Sequence, residues 1–155
     1  MKYIFITLLL LAVMVTLRYF MPTLGTKAAA GVSKKEGQSF LADCPDMPNC
    51  QGSESSRQSQ QVDRFAVTKD PAQSIATLAE IVGGMKGMEV VQFDEKYLHA
   101  TATTSLMRFV DDIEFLLSDD LQSIQIRSAS RIGKADLGAN AKRIEMLRAA
   151  ATNKL

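Results

Sequence analysis

The sequence has no tryptophan, only one histidine, His99, and almost no excess of either charge. Lys and Arg total 18 against 17 for Asp and Glu, which gives a formal net charge of +1. Nucleic-acid binders usually carry a clear basic excess, and aromatic side chains provide the stacking platforms for single strands. Because both features are scarce, we predict no nucleic-acid partner.

Several catalytic and cofactor motifs are also missing. The chain has no G-x-S-x-G nucleophile motif and no glycine-rich phosphate loop. Cys44 and Cys50 form neither a C-x-x-C redox pair nor a haem-attachment motif, and a zinc site needs more ligands than His99 can add. We predict no cofactor, no metal and no assignable catalytic residue. Enzymatic activity stays uncertain, with a non-enzymatic role favoured.

A long apolar run opens the chain. Residues 3–17 carry no charge before Arg18. A membrane-spanning helix needs about 17–25 apolar residues, which residues 3–21 supply if Arg18 extends to the lipid interface. A cleaved signal peptide has a shorter run, and the best small-residue cleavage site, at residues 28–30, lies far beyond it. We predict a membrane anchor over residues 1–21, with cleavage as a signal segment as the alternative.

This N-terminal segment also predicts the location of the protein. Either interpretation carries the rest of the chain across a membrane. We expect the bacterial inner membrane, with the globular domain in the periplasm. The alternative is a secreted or periplasmic protein released by signal cleavage.

Residues 22–61 are rich in Ser, Gln, Gly, Lys and Ala, a composition typical of a linker. Cys44 and Cys50 lie in this segment with two prolines between them. In an oxidising compartment such a pair can close a small loop. We expect a structural disulfide, with free thiols as the alternative, and a globular domain over residues 62–155.

The globular domain shows helical and strand-like periodicity in turn. Asp70 and Pro71 form a helix start signal, and glycines at 83–84 end that helix. A last helix begins near Asn140. The strands are predicted over residues 63–68, 88–93, 97–106, 108–117 and 121–130. The order β-α-β-β-β-β-α predicts an α+β domain with an antiparallel sheet and helices packed on one face.

Alternation along the strands assigns their residues to two faces of the sheet. The apolar face includes Asp111, which needs a partner such as Ser128, Ser130 or Arg143 because an unpaired buried charge is costly. The opposite face collects polar groups, namely His99, Asp112, Glu114, Arg127 and Arg131. One interpretation is cross-strand ion pairs on a solvated surface. The functional interpretation is a groove that binds a partner or a small anion.

The loop before the last helix extends this candidate site. Its sequence, RIGKADLGAN, brings Arg131 and Lys134 close to a helix N-terminus, where an anion can bind. Asp136 or Asn140 is suited to cap that helix. The candidate ligand-binding residues are His99, Asp112, Glu114, Arg127, Arg131, Asp136, Asn140 and Arg143.

Four segments occur in order: CPDMPNC, YLHAT, FVDDIEF and RSASRIGKADLGANAKRIEML. With them, the chain from about Cys44 to Leu147 resembles the bacterial and plastid family called domain of unknown function 1499. Thr101, Ala135 and Ala141 stand where the family pattern has Glu, Ser and Arg. The resemblance implies no established activity. Its polar motif residues fit a site, and equally a hydrogen-bond network that defines the fold.

Three functions follow from these patterns. The first is a non-enzymatic membrane-tethered envelope domain that binds an envelope protein or a small anion through the polar face and the loop at 136–143. The second is a hydrolase-like enzyme that uses Asp111 or Asp112 with His99. The third is a carrier that holds an apolar ligand between sheet and helices. Its cavity would be lined by Leu78, Phe109, Ile113 and Ile126.

Overall fold

The computed structural model describes residues 2–20 and 29–155. Helix α1 (Lys2–Phe20) has no buried residue. Its 19 residues, with a mean hydropathy of 2.1, are long and apolar enough to cross a membrane, and a signal sequence meets the same criteria. Residues 1 and 21–28, which belong to the predicted anchor and linker, lie outside the described part of the chain.

The main sheet confirms the predicted α+β class. Its strands are β3 (Cys50–Gly52), β4 (Phe65–Ala66), β5 (Met88–Phe93), β6 (Tyr97–Thr103), β7 (Val110–Leu117) and β8 (Ser123–Ser130). The strand order is β3-β8-β7-β6-β5, and β4 also pairs with β8. Every pairing is antiparallel. From β4 onward the elements follow the predicted order.

Helices α2 (Pro71–Gly83) and α3 (Ala139–Ala151) pack on one face of this sheet. Asp70 caps α2 as predicted, because its Oδ1 accepts the N–H of Ala72 at 3.0 Å. The two helices contribute apolar residues to one core with β6, β7 and β8. Fully buried members include Ile75, Leu78, Ile113, Phe115, Ile126 and Leu147. Burial of each such side chain stabilises the fold by about 1.5–3 kcal/mol.

The described residues of the predicted linker, 29–61, form part of the fold. Strands β1 (Val32–Lys35) and β2 (Gln38–Leu41) pair as a hairpin, and β2 packs against β7 and β8. The strand β3 belongs to the main sheet. This is a correction to the linker expected at these positions. Composition missed the packing because part of the attachment uses backbone groups, such as the N–H of Leu41 and the carbonyl of Ser39, which bind Gln125.

A disulfide joins Cys44 to Cys50, as the paired cysteines predicted. The S–S distance is 1.99 Å and the Cα–Cα distance is 5.7 Å. Cys50 lies opposite Ala129 of β8, and the disulfide packs against that residue. The bond therefore attaches the segment that precedes β3 to the edge of the sheet.

Candidate functional site

The polar sheet face holds an ion pair at the β7–β8 end. Arg131 binds both carboxylate oxygens of Asp112, with Nε at 2.9 Å from Oδ2 and Nη2 at 2.7 Å from Oδ1. His99 Nε2 lies 2.8 Å from the same Oδ1. The strand register explains this arrangement, because Asp112 lies opposite Thr101, two residues from His99 on β6. A bidentate Arg–carboxylate pair of this kind has a fixed geometry.

A second ion pair lies on the same face. Glu114 Oε2 accepts a hydrogen bond from Arg127 at 3.0 Å. Its other oxygen, Oε1, accepts from the hydroxyl of Tyr97 at 2.8 Å and from the N–H of Gly31 at 2.7 Å. Burial, followed by the neighbouring Glu114 carboxylate, raises the pKa of Tyr97, so the phenol stays a donor. Each Glu114 oxygen thus has a partner within the chain.

The β1–β2 hairpin covers these charges. Gln125 holds it in place, because Oε1 accepts the N–H of Leu41 at 2.8 Å and Nε2 donates to the carbonyl of Ser39 at 3.0 Å. On this face His99 is 7% exposed, Asp112 4% and Glu114 0%. This corrects the expectation of a solvated surface or an open groove. We call this set the hairpin-face network: Tyr97, His99, Asp112, Glu114, Arg127 and Arg131.

The opposite face confirms the predicted pairing of Asp111. Its Oδ2 lies 2.6 Å from Nη2 of Arg143. Nη1 of Arg143 donates to the hydroxyl oxygen of Ser128 at 3.1 Å and to Oδ1 of Asn140 at 2.5 Å. The ion pair is thus held within a wider set of hydrogen bonds between β7, β8 and α3.

Asn140 links this pair to the loop before α3. Its Nδ2 donates to the carbonyl of Asn49 at 3.0 Å and to Oδ2 of Asp136 at 2.8 Å. Asp136 accepts the backbone N–H groups of Gly138 at 3.0 Å and Asn140 at 2.9 Å, which is the predicted capping role. We call this set the helix-face network: Asn49, Asp111, Ser128, Asp136, Asn140 and Arg143.

The predicted site residues are therefore divided between opposite faces of one sheet. His99 and Asp111 lie on different faces, so only Asp112 is within hydrogen-bond reach of His99. Arg131 binds Asp112 and does not reach the α3 start. At that start, Asp136 already accepts the N–H groups that were expected to attract an anion.

A cavity of 240 Å³ lies beside the helix-face network. We call it the motif cavity, because most of its lining comes from the segment 130–139 that carried the family resemblance. Thr104, Phe109, Asp111, Ser130, Ile132 and Asp136 are among the lining residues. Sequence reasoning missed Thr104 and placed Phe109 in a different cavity. Alternation along the strands did place Phe109 and Ile132 on the apolar face of the sheet. Both residues lie close to the ends of adjacent strands, and this was the pattern that could have indicated the cavity.

Asp111 is the distinctive group of the motif cavity. The side chain is 3% exposed, and Arg143 binds only its Oδ2. Among the described residues, Oδ1 of Asp111 accepts no hydrogen bond. Asp136, the other carboxylate in the lining, is occupied by N–H donors. Burial acts to raise the pKa of Asp136, but the donors Asn140 and Gly138 outweigh it and lower the pKa below its ordinary value.

The other predicted cavity residues are packed in the core. Leu78, Ile113 and Ile126 each have no exposure and belong to one hydrophobic cluster. Residues 2–20 and 29–155 contain no group of three or more His, Cys, Asp or Glu side chains placed to hold a metal ion.

The molecule thus belongs to a class of small α+β domains in which a disulfide-linked N-terminal segment covers one sheet face and an apolar helix precedes the fold. The family described as "Protein of unknown function (DUF1499)" matches residues 40–150, and the chain belongs to this family. The resemblance predicted from the motifs is confirmed. No curated protein and no solved structure matches the chain. The matched range includes the disulfide, the motif cavity and every residue of both networks.

Proposed function

We propose that the chain is a non-enzymatic, membrane-anchored domain of the bacterial envelope that binds a small hydrogen-bond donor in the motif cavity. One observation carries the binding proposal. The carboxylate of Asp111 lines the cavity, is almost fully buried and keeps one oxygen without a partner in the described chain. This oxygen borders the cavity and keeps its accepting positions open, so a donor that enters the cavity can bind it.

The lining favours an ammonium or hydroxyl group over an anion. Asp111 and Asp136 bring two carboxylates to the cavity, whereas Arg143 is bound to Asp111 alone. The hydroxyl oxygens of Thr104 and Ser130 already accept from the N–H of Phe109 and from Nδ2 of Asn140, and each keeps a second lone pair for a ligand. Phe109 and Ile132 offer an apolar wall for a short carbon chain. Since a water molecule takes about 30 Å³ in the liquid, the space suits a ligand of only a few heavy atoms.

The hairpin-face network supports a structural role instead. Its carboxylates are paired with Arg127 and Arg131, and the β1–β2 hairpin covers them. An anion or an envelope partner, which the sequence predicted for this face, would have to displace both the hairpin and the internal partners. The motif cavity needs no such rearrangement.

Two features support the anchor and the periplasmic location. Helix α1 has the length and hydropathy of a membrane span. The Cys44–Cys50 disulfide is typical of an oxidising compartment. Alkaline carbonate extraction and N-terminal sequencing test this part. The proposal expects the chain to stay in the membrane pellet with its original N-terminus, whereas a soluble chain that begins after residue 21 would contradict the anchor.

A thermal-shift experiment on the full-length chain in detergent tests the binding. The probes are ethanolamine, glycerol and inorganic phosphate. A ligand that binds only the folded state at about ten times its Kd stabilises that state by about 1.4 kcal/mol, or about 4 °C at this size. We expect ethanolamine, and to a smaller extent glycerol, to raise Tm, and phosphate to leave it unchanged.

A matched pair of variants locates the response. Ala135→Met fills the motif cavity from an exposed position of its lining, whereas Ala149→Met makes the same change at an exposed position of α3 away from it. We expect the ethanolamine shift to disappear in the first variant and persist in the second. A phosphate response, or an ethanolamine shift that survives Ala135→Met, would contradict the proposed site.

A further inference from the structure

A second groove, which shares Thr104 with the motif cavity, carries an unexplained cluster of positive charge. A groove of 670 Å³ lies between the end of α1 and the ends of β5 and β6. Its lining includes Arg18, Lys86 and Arg108, with Glu89 as the acidic residue among them. Lys86 and Arg108 are exposed, so their charges face solvent.

Arg18 joins the apolar helix to this groove. Its Nη1 donates to the carbonyl oxygens of Ser105 at 2.5 Å and Leu106 at 2.6 Å. Arg18 lies in the last turn of α1, where a membrane-spanning helix reaches the level of the lipid headgroups. The contact therefore places the loop at residues 104–108 next to the membrane surface.

The loop is closed by its own hydrogen bonds and presents a leucine outward. Thr104 N–H donates to the carbonyl of Phe109 at 2.9 Å, and Arg108 N–H donates to the carbonyl of Thr104 at 3.1 Å. Arg108 adopts a left-handed φ of 56°, which turns the chain back toward β7. Leu106, at the tip, is 69% exposed. An exposed leucine beside a cationic groove is the pattern of a lipid-facing surface.

We propose that this groove binds the headgroups of anionic phospholipids in the membrane that α1 spans, and that Leu106 enters the interface beside them. The inference rests on the membrane anchor of the proposed function. Lys86 and Arg108 supply the attraction, and Arg18 positions the loop. Continuity with α1 and the exposed Leu106 favour a lipid over a soluble anion, because a soluble anion would gain nothing from either.

The test uses the full chain in nanodiscs of phosphatidylcholine, with and without phosphatidylglycerol. Leu106→Cys adds the single thiol available for a fluorescent NBD label, since Cys44 and Cys50 are bonded to each other. Spin-labelled lipids quench the fluorophore when it enters the interface. We expect strong quenching in discs that contain phosphatidylglycerol and weak quenching in discs that do not.

Charge variants in the labelled chain assign the effect to the groove. Lys86→Gln and Arg108→Asn should each weaken binding of the loop to the anionic membrane by about fivefold, because one basic residue near an anionic surface contributes about a factor of this size. Asparagine is chosen at 108 because it tolerates a positive φ. Lys142→Glu changes an exposed lysine on α3 and should leave quenching unchanged.

Equal quenching in the two lipid compositions, or an equal effect of Lys142→Glu, would overturn the proposal. Carbonate extraction of the same samples separates the two hypotheses. A chain that stays in the membrane but shows no lipid-dependent quenching overturns the groove alone. A chain that carbonate releases overturns the anchor and the groove together.

Discussion

The sheet carries a charged network on each face, and the two networks are completed in different ways. On the hairpin face, both oxygens of the fully buried Glu114 have partners within the chain. On the helix face, Asp111 is 3% exposed, and one of its oxygens borders a cavity without a partner in the described residues. Residue type and burial therefore do not separate a structural carboxylate from an available one. The two kinds of carboxylate differ in whether every oxygen has a hydrogen-bond partner within the chain.

Removal of Arg143, the cation of the helix-face network, should give the largest loss of stability. Arg143→Met leaves Asp111 as a buried charge without its counterion, and loss of one partner of a buried ion pair costs about 3–5 kcal/mol. We expect the free energy of unfolding, measured with urea, to fall by about that amount. The double variant Asp111→Asn, Arg143→Met should regain much of the loss because no charge stays buried. A loss below about 1 kcal/mol would show that solvent in the cavity already stabilises Asp111.

Loosening of the β1–β2 hairpin should give an intermediate loss of stability, and the change should be confined to the hairpin face of the sheet. Gln125→Ala removes the hydrogen bonds to Leu41 and Ser39, and loss of such bonds costs about 1–2 kcal/mol. We expect faster hydrogen exchange over residues 31–41, with the rates in α3 unchanged. Gln122→Ala, at an exposed turn, is the control. Faster exchange in α3 would mean that the two networks are coupled through the sheet.

The smallest loss of stability is expected from Asp136 at the start of α3, and it should depend on pH. Asp136→Asn weakens the cap and should lower stability at neutral pH by about 1 kcal/mol. Because the N–H donors lower the pKa of Asp136 below its ordinary value of 3.8, the contribution of the carboxylate is complete above that value. It is lost as the pH falls through the folded-state pKa.

Thermal unfolding across pH checks this sign. The difference between Asp136→Asn and the parent chain should be constant near neutral pH and narrow as the pH falls below 3.8. Asp63→Asn, at an exposed position, should follow the parent at every pH. A difference that widens on acidification would show that the cap is not made by the carboxylate.

Local signals predicted much of the fold. Asp70 and Pro71 marked the start of α2, and strand alternation placed Asp111 in the apolar phase, where it meets Arg143. The strand ends were less predictable. The first predicted strand shortens to Phe65–Ala66, and the loop closed by Thr104 ends β6 earlier than expected.

Side-chain patterns did not predict that the β1–β2 hairpin covers the polar face. They also did not predict how the candidate site residues form two separate networks. The hairpin binds Glu114 and Gln125 through the N–H groups of Gly31 and Leu41, and backbone groups leave no trace in composition or periodicity. Alternation did assign Asp111 and His99 to different phases. It could not show which carboxylate oxygen would lack a partner, because that depends on tertiary contacts.

An NMR titration of the full-length chain in detergent micelles with ethanolamine tests the central claim most directly. The comparison is between the parent chain, Gln125→Ala and Ala135→Met. Our account predicts shifts at the amides of Asp111, Ser130 and Gly133 that persist in Gln125→Ala and vanish in Ala135→Met. Shifts centred on His99 and Glu114, or a response lost when the hairpin is loosened, would contradict it and make the hairpin face the ligand site.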